Sequence, residues 1–129
     1  SLPSLDSQTV TLSQFKGKPV MLAFLASWSG SCKRQAPIVE TVFQASKSQD
    51  LVVIGIFSER AEDKIKEFAT TQGLTFPIVV DAEKSVMKDF NVNSWPCFVL
   101  LDKEGSVKKE LPGMRTSDEL REALGTLGQ

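Results

Sequence analysis

Two uninterrupted apolar runs with an amphipathic stretch between them constrain this chain more than any other feature. Val20-Met21-Leu22-Ala23-Phe24-Leu25-Ala26 holds no polar residue, and Leu51-Val52-Val53-Ile54-Gly55-Ile56-Phe57 is a second run, rich in β-branched side chains. A strand with one wet face alternates apolar and polar residues. A strand without alternation is buried on both faces, so these two belong inside a sheet covered by helices on each side. Between them Ala36, Val39, Val42 and Phe43 recur at helical spacing and give a single apolar stripe from about Ser31 to Ser46. Strand, helix and strand make a β-α-β unit.

The rest of the chain continues the alternation. Glu59 to Ala69 predicts a helix with Ile65, Phe68 and Ala69 inward and its charges on a solvated face, stopped by Gly73. Phe76 to Val80 predicts a short strand, and Val86, Met87 and Phe90 mark a short helix. Pro96 to Leu101 and Val107 to Leu111 read as a hairpin around Asp102-Lys103-Glu104-Gly105. The last helix opens on Thr116 with Glu119 three residues on, a capping box, and offers Leu120, Ala123, Leu124 and Leu127 to the core. With 129 residues, no repeat and no linker, residues 1–129 form one domain. The class is α/β, a central mixed β-sheet flanked by helices.

Composition removes several functions. Fifteen Lys+Arg face 16 Asp+Glu, so there is no broad basic field for nucleic acid or acidic lipid. No apolar run reaches the roughly 18 residues of a membrane span, so the domain is not membrane-inserted. The chain opens at Ser1 without a signal sequence, which leaves room for a targeting segment or anchor upstream. There is no His, which excludes Ser/His/Asp and Cys/His catalysis and imidazole-ligated zinc, and two Cys cannot make a four-thiolate metal site. No metal or cofactor is implied.

The chemistry sits in Phe24-Leu25-Ala26-Ser27-Trp28-Ser29-Gly30-Ser31-Cys32-Lys33-Arg34-Gln35-Ala36-Pro37. This stretch resembles the thioredoxin superfamily, in which the first central strand ends in Trp-Cys-x-x-Cys at a helix start and a Pro follows in that helix. Trp28, Gly30, Cys32, Lys33 and Pro37 match, and Ser29 stands where the first cysteine is expected. Ser94-Trp95-Pro96-Cys97-Phe98-Val99-Leu100 resembles the superfamily's cis-proline loop, with Pro96 in the cis role. The lead-in from Leu2 to Pro19 is similar to the N-terminal hairpin of the bacterial extracytoplasmic TlpA/ResA-like, AhpC/TSA-related branch. The β-α segment ending in Phe76-Pro77-Ile78-Val79-Val80-Asp81 is similar to that branch's insertion before the cis-proline loop. The P-x-x-x-T-x-x-C motif of peroxiredoxins is absent, which ranks a peroxiredoxin-like antioxidant low.

The resemblance implies a thioredoxin fold and thiol–disulfide exchange on protein disulfides. It also implies a redox partner protein, a monomer, and a periplasmic or outward-facing anchored location. A cysteine at a helix N-terminus meets unpaired N–H groups and the positive end of the helix dipole, which favour its thiolate, and the thiolate attacks a substrate disulfide. A second cysteine one turn on resolves the mixed disulfide. Ser29 occupies the attacking position and cannot attack, because its hydroxyl does not ionise appreciably and oxygen does not exchange with disulfides. Cys32 occupies the resolving position. Either Ser29 is an engineered replacement of the nucleophile, or the chain is a natural single-thiol relative that binds rather than reduces.

Around this pair the resemblance places Trp28, Gly30, Ser31, Trp95 and Pro96 as a substrate-binding surface, the loop offering backbone groups to an extended segment. Ala23 sits where many thioredoxins carry a buried carboxylate, so that base is missing. Glu59 is the candidate to replace it as proton relay for Cys32, against the plain alternative of an acid at a helix start. Cys97 has two readings: core filling, or a second redox thiol within reach of Cys32, which requires Cα atoms no more than about 7 Å apart. Beside the oxidoreductase stand a redox-silent or monothiol polypeptide-binding module and a thiol-based redox sensor.

Overall fold

The computed structural model describes residues 2–3, 9–10, 17–46, 52–59, 62–81 and 84–127. In chain order the elements are β1 (Leu2–Pro3), β2 (Thr9–Val10), β3 (Val20–Leu25), α1 (Gly30–Ser46), β4 (Val52–Phe57) and α2 (Glu62–Gln72). They continue with β5 (Ile78–Val80), α3 (Ser85–Asp89), β6 (Cys97–Leu101), β7 (Val107–Pro112) and α4 (Ser117–Leu127). β1 and β2 pair antiparallel, with Leu2 opposite Val10, as expected for the N-terminal hairpin. The Leu12 and Phe15 part of the lead-in lies outside the described residues, as does the side chain of Leu127.

The main sheet has the order β5-β4-β3-β6-β7. β3, β4 and β5 run parallel, while β6 is antiparallel to β3 and β7 to β6. The two apolar runs are therefore neighbours in the centre, Ala23 opposite Gly55 on one side and Phe98 on the other. Gly55 has a packing reason: a Cβ there would lie 2.5 Å from the Phe76 ring, so only glycine lets Phe76 close the edge of the core.

Strand parity sorts the core into two halves. Met21, Ala23, Leu25, Val53, Phe57, Phe98 and Leu100 face Cys32, Ala36, Val39 and Val42 of α1, Ile65 and Phe68 of α2, and Leu120, Ala123 and Leu124 of α4. Val20, Leu22, Phe24, Ile54, Ile56, Cys97, Val99 and Leu101 face the other way, toward Met87 of α3 and Val92. The crossovers β3-α1-β4 and β4-α2-β5 step the same way across the sheet, which puts both helices on one face. α3 belongs to the return from β5 to β6 and covers the opposite face. Helices thus lie on both faces, as the unbroken strands require.

Two boundaries differ from expectation. α2 begins at Glu62, not Glu59, so Glu59, two residues past the end of β4, is not part of the helix. β5 begins at Ile78 because Phe76 turns in toward Gly55 and Pro77 has no N–H to donate. The capping box forms as expected: Glu119 N–H donates to Thr116 Oγ1 at 3.1 Å, and Thr116 N–H to Glu119 Oε1 at 3.0 Å.

Candidate active site

β3 ends at Leu25, and the chain turns through Ala26-Ser27-Trp28 into α1. Ser29 N–H donates to Ala26 O at 3.3 Å, and Ser29 O accepts the first helical bond, from Lys33 N–H at 3.1 Å. Ser29 Oγ accepts Cys32 N–H at 3.3 Å. This is an N-cap: a short side-chain oxygen satisfies one of the helix's orphan donors. Ser29 is thus a helix cap as well as the residue at the attacking position, and a Ser before an amphipathic run is the sequence signal of such a cap.

Cys32 is 0% exposed, one turn beneath Ser29 and facing the α1 side of the sheet. Its Sγ accepts Ala26 N–H at 3.3 Å. Burial pushes the thiol above its usual range. The Ala26 and Ser29 hydrogen bonds pull it down, and the negative charge of Glu59 adds to the rise. Glu59 is fixed by Ser27, whose N–H donates to Oε2 at 2.8 Å and whose hydroxyl donates to Oε1. Glu59 thus stands at the mouth of the site, close enough to act on Cys32 through charge. Among the described residues no hydrogen bond joins it to the thiol. With Trp28, Lys33 and Phe68 it lines a cleft between the start of α1 and α2.

Across the site the Trp95–Pro96 peptide is cis. Trp28 is 64% exposed and meets the half-buried Trp95 edge to face, ring centroids 5.1 Å apart at 81°. The two indoles make a ridge rather than a flat platform. Lys84 Nζ lies 5.7 Å from the Trp95 ring centroid, and among the described residues the buried Trp95 indole N–H has no hydrogen-bond partner. Gly30 and Ser31 form the first turn of α1, and a Cβ added at Gly30 would meet the tip of the Arg34 side chain at 4.0 Å, an ordinary contact.

Of the two readings of Cys97, the structure supports core filling and not a second redox thiol facing Cys32. Phe98, not Cys97, points toward Cys32; Cys97 packs with Val20, Phe24 and Val99 on the opposite face. Both cysteines are free. Adjacent residues of a strand point to opposite faces, so the sheet itself separates the thiols. Burial also raises the Cys97 thiol, with Glu110 adding to the effect.

Gln35 is a functional candidate that the motifs do not mark. Gln35 is 0% exposed: its Nε2 donates to Arg115 O at 3.0 Å and its Oε1 accepts Arg115 N–H at 2.8 Å. The signal was available, since Gln35 lies three residues after Cys32 and four before Val39, on the buried stripe.

Residues 1–110 match the family model of the AhpC/TSA family. The chain belongs to the AhpC/TSA family. It is 30% identical over 126 residues to thiol-disulfide oxidoreductase ResA of Geobacillus kaustophilus, covering 98% of this chain and 72% of that protein. Among solved structures, the exposed lipoprotein thioredoxin Etrx1 of Streptococcus pneumoniae is 30% identical, with a TM-score of 0.86 over 98% of this chain and 97% of that one. DsbF of Mycobacterium tuberculosis, solved in mixed oxidized and reduced forms, gives a TM-score of 0.91 at 26% identity, over 98% and 93% of the two chains. The mixed sheet flanked by helices is thus a thioredoxin fold.

Proposed function

We propose that this is a thiol–disulfide oxidoreductase domain acting on protein disulfides, held in a nucleophile-silent form by Ser29. The observation that carries the reading is the geometry at the start of α1. A serine hydroxyl caps the helix at the position from which a thiolate would attack, and a buried thiol lies one turn below it. The relatives named above as oxidoreductase and thioredoxin support the class. With cysteine at 29, its thiolate would attack a substrate disulfide and displace one substrate sulfur. The Cys32 thiol would then lose its proton and attack residue 29, releasing the second sulfur. The substrate gains two electrons and two protons as a dithiol, and the domain ends with a 29–32 disulfide. The charge of Glu59, which reaches the Cys32 thiol, supports it as acceptor of the thiol proton, and the exposed Trp28 against Trp95, beside the cis Pro96, supports these three as the surface that receives the substrate segment.

The location fits the outside of the cell, as for the exposed lipoprotein relative, with a disulfide-bearing protein and a redox partner as its clients and a single copy as the working unit. Insulin reduction with dithiothreitol, run on the chain and on Ser29→Cys, tests the reading. Turnover by Ser29→Cys alone is the expected result, and silence of both overturns it. The second reading, a polypeptide-binding module that uses no thiol, draws on the exposed Trp28 beside Trp95 and gains if both are silent.

A further inference from the structure

We propose that Gln35 is a positioning residue that sets the cis-proline segment in register over Cys32. The path is short and made of main chain at every step but one. Gln35 lies one turn after Cys32 on α1, and its carboxamide closes a two-point clamp on Arg115, donating to the carbonyl and accepting from the N–H. Two residues earlier, Gly113 N–H donates to Pro96 O at 2.9 Å. The loop between β7 and α4 is thus a strap: one end holds the cis-proline peptide, and the middle is held by the helix that carries Cys32.

The rest of the strap leaves it little freedom. Gly113 takes φ +84°, a left-handed conformation that a side chain disfavours. Arg115 Nη2 donates to Pro112 O at 2.8 Å, which ties the arginine back onto β7, and the Thr116 and Glu119 capping box fixes the far end to α4. The only side chain that joins this strap to α1 by hydrogen bonds among the described residues is Gln35. A carboxamide suits the task because it presents one donor and one acceptor to a single residue's N–H and C=O. Burying such a group without both bonds is costly, so the clamp is specified in one geometry. Removing it frees the strap from α1 and lets the Pro96 segment drift relative to the thiol. The consequence for substrate rests on the oxidoreductase reading; the coupling itself does not.

Amide hydrogen exchange on the chain as it stands, Gln35→Met against the parent, tests the coupling. Methionine keeps the volume and removes both bonds. The Arg115 and Gly113 amides are expected to exchange together, each roughly tenfold faster, while the Leu22 and Ile54 amides of the central strands hold their rates. Acceleration at Arg115 alone, or at neither, overturns the proposal. If Gln35→Met does not fold, Gln35→Leu, which also removes both bonds in a smaller side chain, takes its place, and the same paired acceleration is expected. In a Ser29→Cys background, Gln35→Met is expected to raise KM for insulin roughly tenfold with kcat little changed; a fall in kcat at constant KM overturns the positioning role. Should Ser29→Cys itself be silent, the oxidoreductase reading falls while the exchange experiment still decides the coupling.

Discussion

Cys32 and Cys97 are 0% and 5% exposed, both free, and both carry thiols that burial pushes above the usual range. By those measures they are the same residue twice. What separates them is backbone. Cys32 sits in the first turn of α1, directly below the helix cap, with its sulfur accepting the Ala26 N–H. Cys97 opens β6 and points away from α1, into the apolar layer on the other face of the sheet. Burial and a raised thiol describe a core as well as an active site. A helix start one turn away describes only one of them.

The largest expected effect tests that division. In a Ser29→Cys background, Cys32→Ala leaves the mixed disulfide on residue 29 without a resolving thiol. Insulin turnover is expected to fall by orders of magnitude, and a protein-bound adduct to accumulate by mass spectrometry. Cys97→Ala in the same background should leave turnover as it was. An equal loss in both would break the comparison, because Cys97 could then not be filling.

Stability should divide the same strand differently. Phe98 fills the space between β6 and the helices of the Cys32 face, and Phe98→Ala is expected to cost about 3–5 kcal/mol in urea unfolding. Its neighbour Cys97 fills much less, and Cys97→Ala is expected to cost about 1 kcal/mol. A cost for Cys97→Ala as large as that for Phe98→Ala would show that the small face is not passively filled.

These residues also show where the sequence was legible. The β-α-β unit, the parallel centre, the final hairpin and the capping box followed from apolar runs, helical spacing and turn composition. The face of Cys97 did not. Cys97-Phe98-Val99-Leu100-Leu101 is apolar throughout, and a strand buried on both sides carries no alternation to say which residue faces which helix. The resemblance, which sets the cis-proline loop against the active-site helix, leaves a pairing with Cys32 open beside core filling, and strand parity decides for filling. The charge run that opens at Glu59 leaves a helix-start acid and a proton relay both open, because its partner, Ser27, is 32 residues away in sequence. Gln35 shares the stripe of Cys32 and Val39, which marks it as inward-facing, but the sequence does not say which group 80 residues on receives it.

pH sharpens the contrast between position 29 and position 32. The folded Cys32 thiol lies above its unfolded value, since burial favours the neutral form. Its stabilising contribution is complete below the unfolded thiol pKa of about 8.5 and is lost as pH rises through the folded value. Thermal unfolding between neutral and alkaline pH should show this decline, and Cys32→Ala should flatten it. Cys97 gives the same sign, so Cys97→Ala should flatten the remainder. A decline unchanged in both variants would assign it elsewhere.

The smallest effects compare two helix starts. Ser29 caps α1 through one hydrogen bond of 3.3 Å, whereas Thr116 caps α4 within a reciprocal box of 3.0 and 3.1 Å. Thr116→Ala is expected to cost about 1 kcal/mol and Ser29→Ala about 0.5 kcal/mol, read by urea unfolding. Ser29→Cys replaces a hydroxyl cap with a thiol that gains from the dipole only once ionised, so its folded pKa falls below the unfolded one. That contribution is present above the unfolded pKa and lost as pH falls through the folded value, opposite in sign to Cys32. Measured across neutral pH, Ser29→Cys should therefore gain on Ser29→Ala as pH rises. A constant gap between the two would mean that position 29 does not feel the helix start, and the assignment of an attacking thiolate there would fail with it.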